Sequence, residues 1–209
     1  MKILKKINKG LILTIIVVAV LVMYLTNLEK QRESDKADIR KACEDFIALT
    51  DEYVVLPEDM QTYTGEISKE NKEKIETQLK DALKTKMVDN DKAIEIQYKY
   101  LIDKLQSGYQ TEGEVKTKNK RTITKISSYE FDGNQVTVEL NTSLDTTYKY
   151  IDKYTRDKKE RKDTNTYSGD EIILKKVDGK WKVVYSHLQF EVGNNYYNTY
   201  ESELNPLVM

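Results

Sequence analysis

The hydrophobic pattern divides the chain into one uncharged apolar run and a long, strongly charged remainder. The run covers residues 11–26 and reads LILTIIVVAVLVMYLT. In a bilayer such a run must bond its own backbone N–H and C=O groups, which predicts a helix. Extended to residues 10–28, that helix would be about 28 Å long, close to the thickness of the hydrocarbon core. The pattern therefore predicts one membrane-spanning helix over residues 10–28.

The charges beside the run predict its orientation. Four lysines precede it with no acidic residue among them: Lys2, Lys5, Lys6 and Lys9. Because basic flanks stay on the cytoplasmic side, we expect a cytoplasmic tail at 1–9, a connector at 29–35 and an extracytoplasmic domain at 36–209. The end of the run, VMYLTN, has no pair of small residues for signal-peptidase cleavage, so an uncleaved signal anchor is predicted.

A second interpretation of the same segment stays open. A short basic leader ending in Lys9-Gly10 before an apolar helix resembles the start of type IV pilin-like proteins, which are cut after the glycine. The fifth mature residue of those proteins is usually glutamate, where this chain would have Ile15. A pilin-like subunit is therefore the third hypothesis for function.

After the run, three segments repeat apolar residues at the three- and four-residue spacing of amphipathic helices. Ser34 or Asp35 would cap the first, Ser68 the second and residues 89–91 the third. The predicted helices are residues 36–56, 69–87 and 92–106.

From residue 111 the pattern alternates, which is typical of strands with one buried face. Asp-Gly turns and one charged connection, residues 151–163, separate the apolar stretches. The fourth stretch has apolar residues on both faces and is predicted to lie centrally in the sheet. The predicted strands are residues 121–131, 136–150, 164–177 and 180–190.

These elements predict an α+β domain, with about three helices packed on a curved, four-stranded antiparallel sheet behind the N-terminal transmembrane helix. The order of elements, with residues 170–184 (DEIILKKVDGKWKVV), resembles the NTF2-like (cystatin-like) superfamily. Membrane-anchored bacterial members of that superfamily include VirB8-like scaffolds of secretion and conjugation machines. The resemblance implies a protein-interaction role in a secretion, conjugation or envelope assembly.

Composition narrows the location and the partners. Of 34 Lys+Arg and 35 Asp+Glu, four basic residues stand before the apolar run, so the remainder is acidic and argues against nucleic-acid binding. The single cysteine, Cys43, excludes an internal disulfide, which suits an exported bacterial protein. We expect a single-pass protein of a bacterial cell membrane whose partners are other envelope proteins or further copies of itself.

Catalytic and cofactor motifs do not emerge from the sequence. His187 is the only histidine, no clustered ligand spacing supports a metal, and the eight glycines form no phosphate-binding loop. We therefore predict no enzyme activity and no cofactor. The alternative, also implied by the superfamily, is a small-ligand or acid–base site between sheet and helices, lined by Tyr148, Tyr185 and His187.

Two basic clusters are the candidate partner-binding features: residues 116–121, and the group Lys158, Lys159, Arg161 and Lys162. Placed on one side of the domain, the two clusters could hold an anionic polymer or an acidic partner surface. The alternative is a solvated edge, since lysines on edge strands block unwanted strand pairing.

Overall fold

The computed structural model describes residues 9–108 and 112–189. Contacts between residues divide the chain after Ile39 into two compact units. Three helices precede four strands, with a short 3-10 turn at Glu58–Met60. The helices are α1 (Lys9–Tyr53), α2 (Lys69–Lys86) and α3 (Asp91–Ser107), and the strands are β1 (Glu114–Asp132), β2 (Gln135–Ile151), β3 (Lys158–Val177) and β4 (Lys180–His187).

The predicted start of a separate helix near Lys36 is wrong, because α1 passes through residues 29–35 without a break. Ser34, the expected cap, donates its hydroxyl to the carbonyl of Gln31 within the helix (2.8 Å). This segment contains no glycine or proline, and Lys36 pairs with Glu33 one turn earlier (2.5 Å). Good helix formers and such pairs continue a helix where a capping residue alone would not end it.

Helices α2 and α3 begin where their caps predict. The Ser68 hydroxyl accepts a hydrogen bond from the Asn71 N–H (3.2 Å), and the Asn90 side chain accepts one from the Ala93 N–H (3.1 Å). Helix α3 buries a wide face that includes Gln97, whereas α2 buries one apolar stripe, as its spacing predicts. The buried stripe of α2 is Ile75, Leu79 and Leu83.

The strands form one antiparallel sheet in the order β1-β2-β3-β4. Bulges interrupt the register three times between β1 and β2, and once in each of the other two pairings. Bulges bend a strand and increase its twist, so the sheet curves. The α+β class and the curved four-stranded antiparallel sheet are confirmed.

Two strands are longer than predicted. Strand β1 begins at Glu114, and β3 begins at Lys158 inside the segment expected to be a connection. That connection shrinks to a turn in which the Asp152 N–H donates to the Asp157 carbonyl (2.9 Å). Charged residues can extend a strand because the ladder uses backbone groups, and here β2 supplies a partner for each of residues 158–163.

Strand β4 lies at the edge of the described sheet, so its predicted central position is wrong. Its open side is covered by the segment between α2 and α3 and by α3 itself. The Val88 N–H donates to the Val183 carbonyl (2.8 Å), and the Gln97 side chain accepts from the Ser186 N–H (2.9 Å). Val183 and Tyr185, which point to opposite faces of β4, are both buried, in agreement with its apolar pattern. Phe190, the predicted end of the strand, is outside the described residues.

The core of the second unit lies between the helices and one face of the sheet. We call this the inner face; on β2 it carries Val136, Val138 and Leu140, all without exposed surface. The other side is the outer face. Helix side chains of the core without exposed surface include Cys43, Phe46, Leu79, Leu83 and Leu101.

Candidate functional site

The N-terminal part of α1 has the properties of a membrane segment. It is one helix long enough and apolar enough to cross a membrane, judged by length and composition. Over residues 12–25 its large apolar side chains are between 44% and 64% exposed, and none of the apolar window is buried. Residues 1–8, which hold most of the predicted cytoplasmic tail, are outside the described residues. The side chain of Leu11 is also outside them.

Strand alternation splits the first basic cluster between the two faces of the sheet. Lys116 and Arg121 point inward and are only 7% and 5% exposed, whereas Lys118 and Lys120 are exposed on the outer face. The prediction of a solvated edge therefore holds for only part of this cluster. Arg121 instead becomes part of the core.

All four members of the second basic cluster lie on β3, and three of them form ion pairs with nearby carboxylates. Its members alternate between the faces, so they form no continuous patch. The contacts are Lys158 over the ring of Tyr63 (5.5 Å), Lys159 with Asp152 (2.6 Å), Arg161 with Asp163 (2.9 Å) and Glu114 (3.2 Å), and Lys162 with Glu160 (3.1 Å).

The three predicted ligand-binding side chains do not meet in one pocket. Tyr148 lies on the inner face between two cations, with the Arg161 guanidinium 4.7 Å and the Lys116 ammonium 5.9 Å from its ring centre. The register of β3 with its neighbours places Tyr185 and His187 on the other face. His187 lies 6.4 Å from the ring of Tyr100 on α3.

A buried ion pair crosses the inner face of the sheet, and it was not predicted from the sequence. The Arg121 guanidinium donates to the Asp170 carboxylate (2.5 Å) and to the Thr142 hydroxyl (2.8 Å), and both charged side chains are 0% exposed. Thr142 in turn donates to the same carboxylate (2.6 Å). Three adjacent strands thus contribute one residue each.

The network continues to the ends of α1 and β4. The Asp51 carboxylate accepts from the Arg121 backbone N–H (2.5 Å) and from the Asn119 side chain (2.6 Å). Burial raises the pKa of Asp51, although these two hydrogen bonds act in the opposite direction. Arg121 also donates to the Gln189 carbonyl, and the Gln189 N–H donates to Asp170 (2.8 Å).

The contacts of this network lie within the protein and hold the strands of the sheet together. Every oxygen of the Asp170 carboxylate is engaged by the protein, and neither member of the pair is exposed. The sequence carried one signal for it. Thr142 is a polar residue at an inward position between Leu140 and Leu144, and such a residue requires a buried partner.

The possible metal ligands and the one cysteine bear on metal binding and thiol reactivity in the described part of the chain. Among residues 9–108 and 112–189, no group of three or more His, Cys, Asp or Glu side chains is placed to hold a metal ion. Cys43 is 0% exposed, and burial raises the pKa of its thiol from 9.0 to about 12.

The raised pKa of the Cys43 thiol predicts a loss of stability at alkaline pH. In the unfolded chain Cys43 ionises near pH 9.0, whereas in the folded chain it keeps its proton until about pH 12. Between these values the unfolded chain binds fewer protons, so the free energy of unfolding falls as the pH rises. Urea unfolding of the full chain in detergent micelles, followed by Trp181 fluorescence across this window, measures the fall. Cys43→Ala is expected to show a shallower slope, and equal slopes would contradict the prediction.

Comparison with known proteins adds a distant likeness. No protein-family model matches the chain, and no curated protein matches it. Among solved structures, it is similar to a nuclear transport factor 2 (NTF2-like) superfamily protein from Salmonella enterica subsp. enterica serovar Typhimurium str. LT2, at 14% identity and a TM-score of 0.21. The match covers 45% of this chain and 65% of that one, less than two thirds of its length. Because that score is too low to establish a common fold, the architecture rests on the elements of this chain itself.

Proposed function

We propose that this chain is a single-pass bacterial membrane protein whose α+β domain lies outside the cytoplasm and binds other proteins of an envelope assembly. The observation that carries the proposal is the uncharged segment of α1, whose apolar side chains are exposed from residue 12 to residue 25. Such a surface is unfavourable in water and favourable in lipid. The four lysines before the segment support a cytoplasmic N-terminus.

The interior of the domain supports binding at the surface rather than catalysis inside. Leu140, Ile172 and Leu174 fill the middle of the inner face without exposed surface, and the ion pair of Arg121 and Asp170 is satisfied by its own neighbours. A reacting group in such a position would be sealed from a substrate. Scaffolds of secretion or conjugation machines, with VirB8-like architecture, are the kind of protein that we propose for this chain.

Thiol labelling in intact bacterial cells tests the location and orientation. Wild-type Cys43 is buried and should not react with a membrane-impermeant maleimide. Tyr154→Cys, at a side chain that is 96% exposed, is expected to be labelled in intact cells. Asn8→Cys, before the apolar segment, is expected to be labelled only after permeabilisation. The reverse pattern would overturn the orientation, and labelling of neither before permeabilisation would overturn the external domain.

In-cell photo-crosslinking tests the interaction role. A photoreactive amino acid at exposed outer positions such as Lys120 or Tyr154 is expected to capture envelope proteins or a second copy of the chain. A matched probe at buried Leu101 serves as the control. If the exposed positions give no more crosslinked product than the buried one, the scaffold proposal is wrong.

A further inference from the structure

An open groove lies on the outer face of the sheet, at the end formed by the β2–β3 turn. It has a volume of about 470 Å³, within the range of protein binding clefts. Its floor is made of outward residues of β1, β2 and β3, and its wall is the segment that follows α1. The lining residues are Leu56, Glu58, Gln61, Thr117, Lys118, Thr147, Lys149, Glu160 and Lys162.

The sheet register concentrates basic side chains in this groove that are far apart in the sequence. Lys118 on β1 and Lys162 on β3 both pair with Thr147 on β2, so the three residues form one row across the strands. Lys149, two positions along β2, extends from the same face. The two basic clusters seen in the sequence therefore each contribute one lysine to a single site.

Two of these lysines are not neutralised by the protein. Within residues 9–108 and 112–189, neither Lys118 nor Lys149 forms an ion pair, whereas Lys162 pairs with Glu160 (3.1 Å). Three ammonium groups thus share the groove with two carboxylates, Glu58 and Glu160. The balance is positive on a chain that is acidic after its N-terminal lysines.

The groove carries carboxylates as well as lysines, and this mixture favours one class of anionic partner over another. A nucleic acid presents one phosphate after another and would meet the carboxylates of Glu58 and Glu160 as well as the lysines. An extended polypeptide can space its carboxylates along the chain, and only its charged positions need to meet an ammonium group. Its polar backbone is compatible with the threonines of the floor.

We propose that this groove binds a short, extended, acidic segment of a partner protein, with Lys118 and Lys149 pairing with its carboxylates. The proposal rests on the protein-interaction function proposed above and names the surface and the chemistry that would carry it. Binding of this kind is electrostatic and partly exposed, so it weakens as the ionic strength rises.

Fluorescence anisotropy with the full chain in uncharged detergent micelles tests the proposal. The probe is a labelled hexapeptide of alternating glutamate and alanine, and its counterpart carries glutamine for glutamate. The wild-type chain is expected to bind the acidic peptide saturably and the glutamine peptide not at all. The double variant Lys118→Glu/Lys149→Glu is expected to bind the acidic peptide about tenfold more weakly or worse, because it replaces attraction by repulsion.

The matched control places the same charge change elsewhere on the outer side of the sheet. Lys125 on β1 and Lys175 on β3 are exposed and do not line the groove. Lys125→Glu/Lys175→Glu alters the net charge equally and is expected to change the affinity less than twofold, since the groove is untouched. Circular dichroism is the check that both double variants are folded.

Several outcomes would overturn the groove proposal: no binding of the acidic peptide by the wild type, an equal loss in both double variants, or tighter binding of a single-stranded oligonucleotide than of the peptide. Crosslinking in cells distinguishes a failure of the groove proposal from a failure of the proposed protein-interaction role. If the groove variant keeps all partner crosslinks of the wild type, the groove is refuted and the interaction role remains. If the wild type gives no crosslinks, the interaction role itself is refuted.

Discussion

Replacing Asp170 with alanine is expected to lower the free energy of unfolding of the α+β unit by about 3–5 kcal/mol. The substitution removes the acceptors of Arg121, Thr142 and the Gln189 N–H together. It leaves the guanidinium in a site with no exposed side-chain surface, where an uncompensated charge is costly. Since small domains are stable by only about 5–15 kcal/mol, the loss would be a large share of the total.

Urea unfolding of the full chain in micelles, followed by the fluorescence of Trp181, the only tryptophan, measures this loss. Two controls locate its cause. Arg121→Met/Asp170→Leu removes both charges and is expected to restore most of the stability. Glu95→Ala breaks the half-exposed pair of Lys80 and Glu95 (3.0 Å) and should cost at most about 1 kcal/mol. An Asp170→Ala protein as stable as Glu95→Ala would contradict the assignment of a buried, uncompensated charge.

Placing two arginines in the middle of the apolar segment is expected to abolish membrane integration. Val17 and Leu21 are one helical turn apart and stand near the centre of residues 10–28. Each arginine costs about 2.5–3.5 kcal/mol at the centre of a membrane helix. Together they disfavour insertion by a factor of more than about 10³, since each 1.4 kcal/mol is tenfold.

Membrane flotation after carbonate extraction measures integration and separates membranes from aggregates. The wild type is expected to float, and Val17→Arg/Leu21→Arg is expected to remain in the load fraction. Val17→Leu/Leu21→Val keeps the segment apolar and should float like the wild type. If the arginine variant also floats after extraction, the segment does not act as the anchor.

Local signals in the sequence predicted the elements well where the signal and the structure act over the same few residues. Ser68 and Asn90 cap their helices because a capping bond joins residues three apart. The alternation from Val136 to Tyr150, interrupted only by threonines at two inward positions, predicted β2 almost to its ends. Ser34 misled the prediction because a residue suited to capping is not forced to cap when good helix formers surround it.

The site was harder to predict because it depends on pairings between distant residues. Lys158, Lys159, Arg161 and Lys162 read as one basic cluster until β3 and its neighbours supplied a carboxylate or a ring to each. The sequence was compatible with one pocket lined by Tyr148, Tyr185 and His187. The bulges in the sheet, however, change whether the odd-numbered or the even-numbered residues of a strand face inward. No single strand reveals such a change.

The sequence by itself determined the apolar segment at the N-terminus, the α+β class and the number of strands, because these follow from composition and from periods of two and 3.6 residues. Only the tertiary structure decided the order of β4 in the sheet, the burial of Arg121 against Asp170 and the meeting of Lys118 with Lys162. The physical reason is that register and bulges bring together strands separated by tens of residues. A charge becomes a core residue or a binding residue only when its cross-strand neighbours are known.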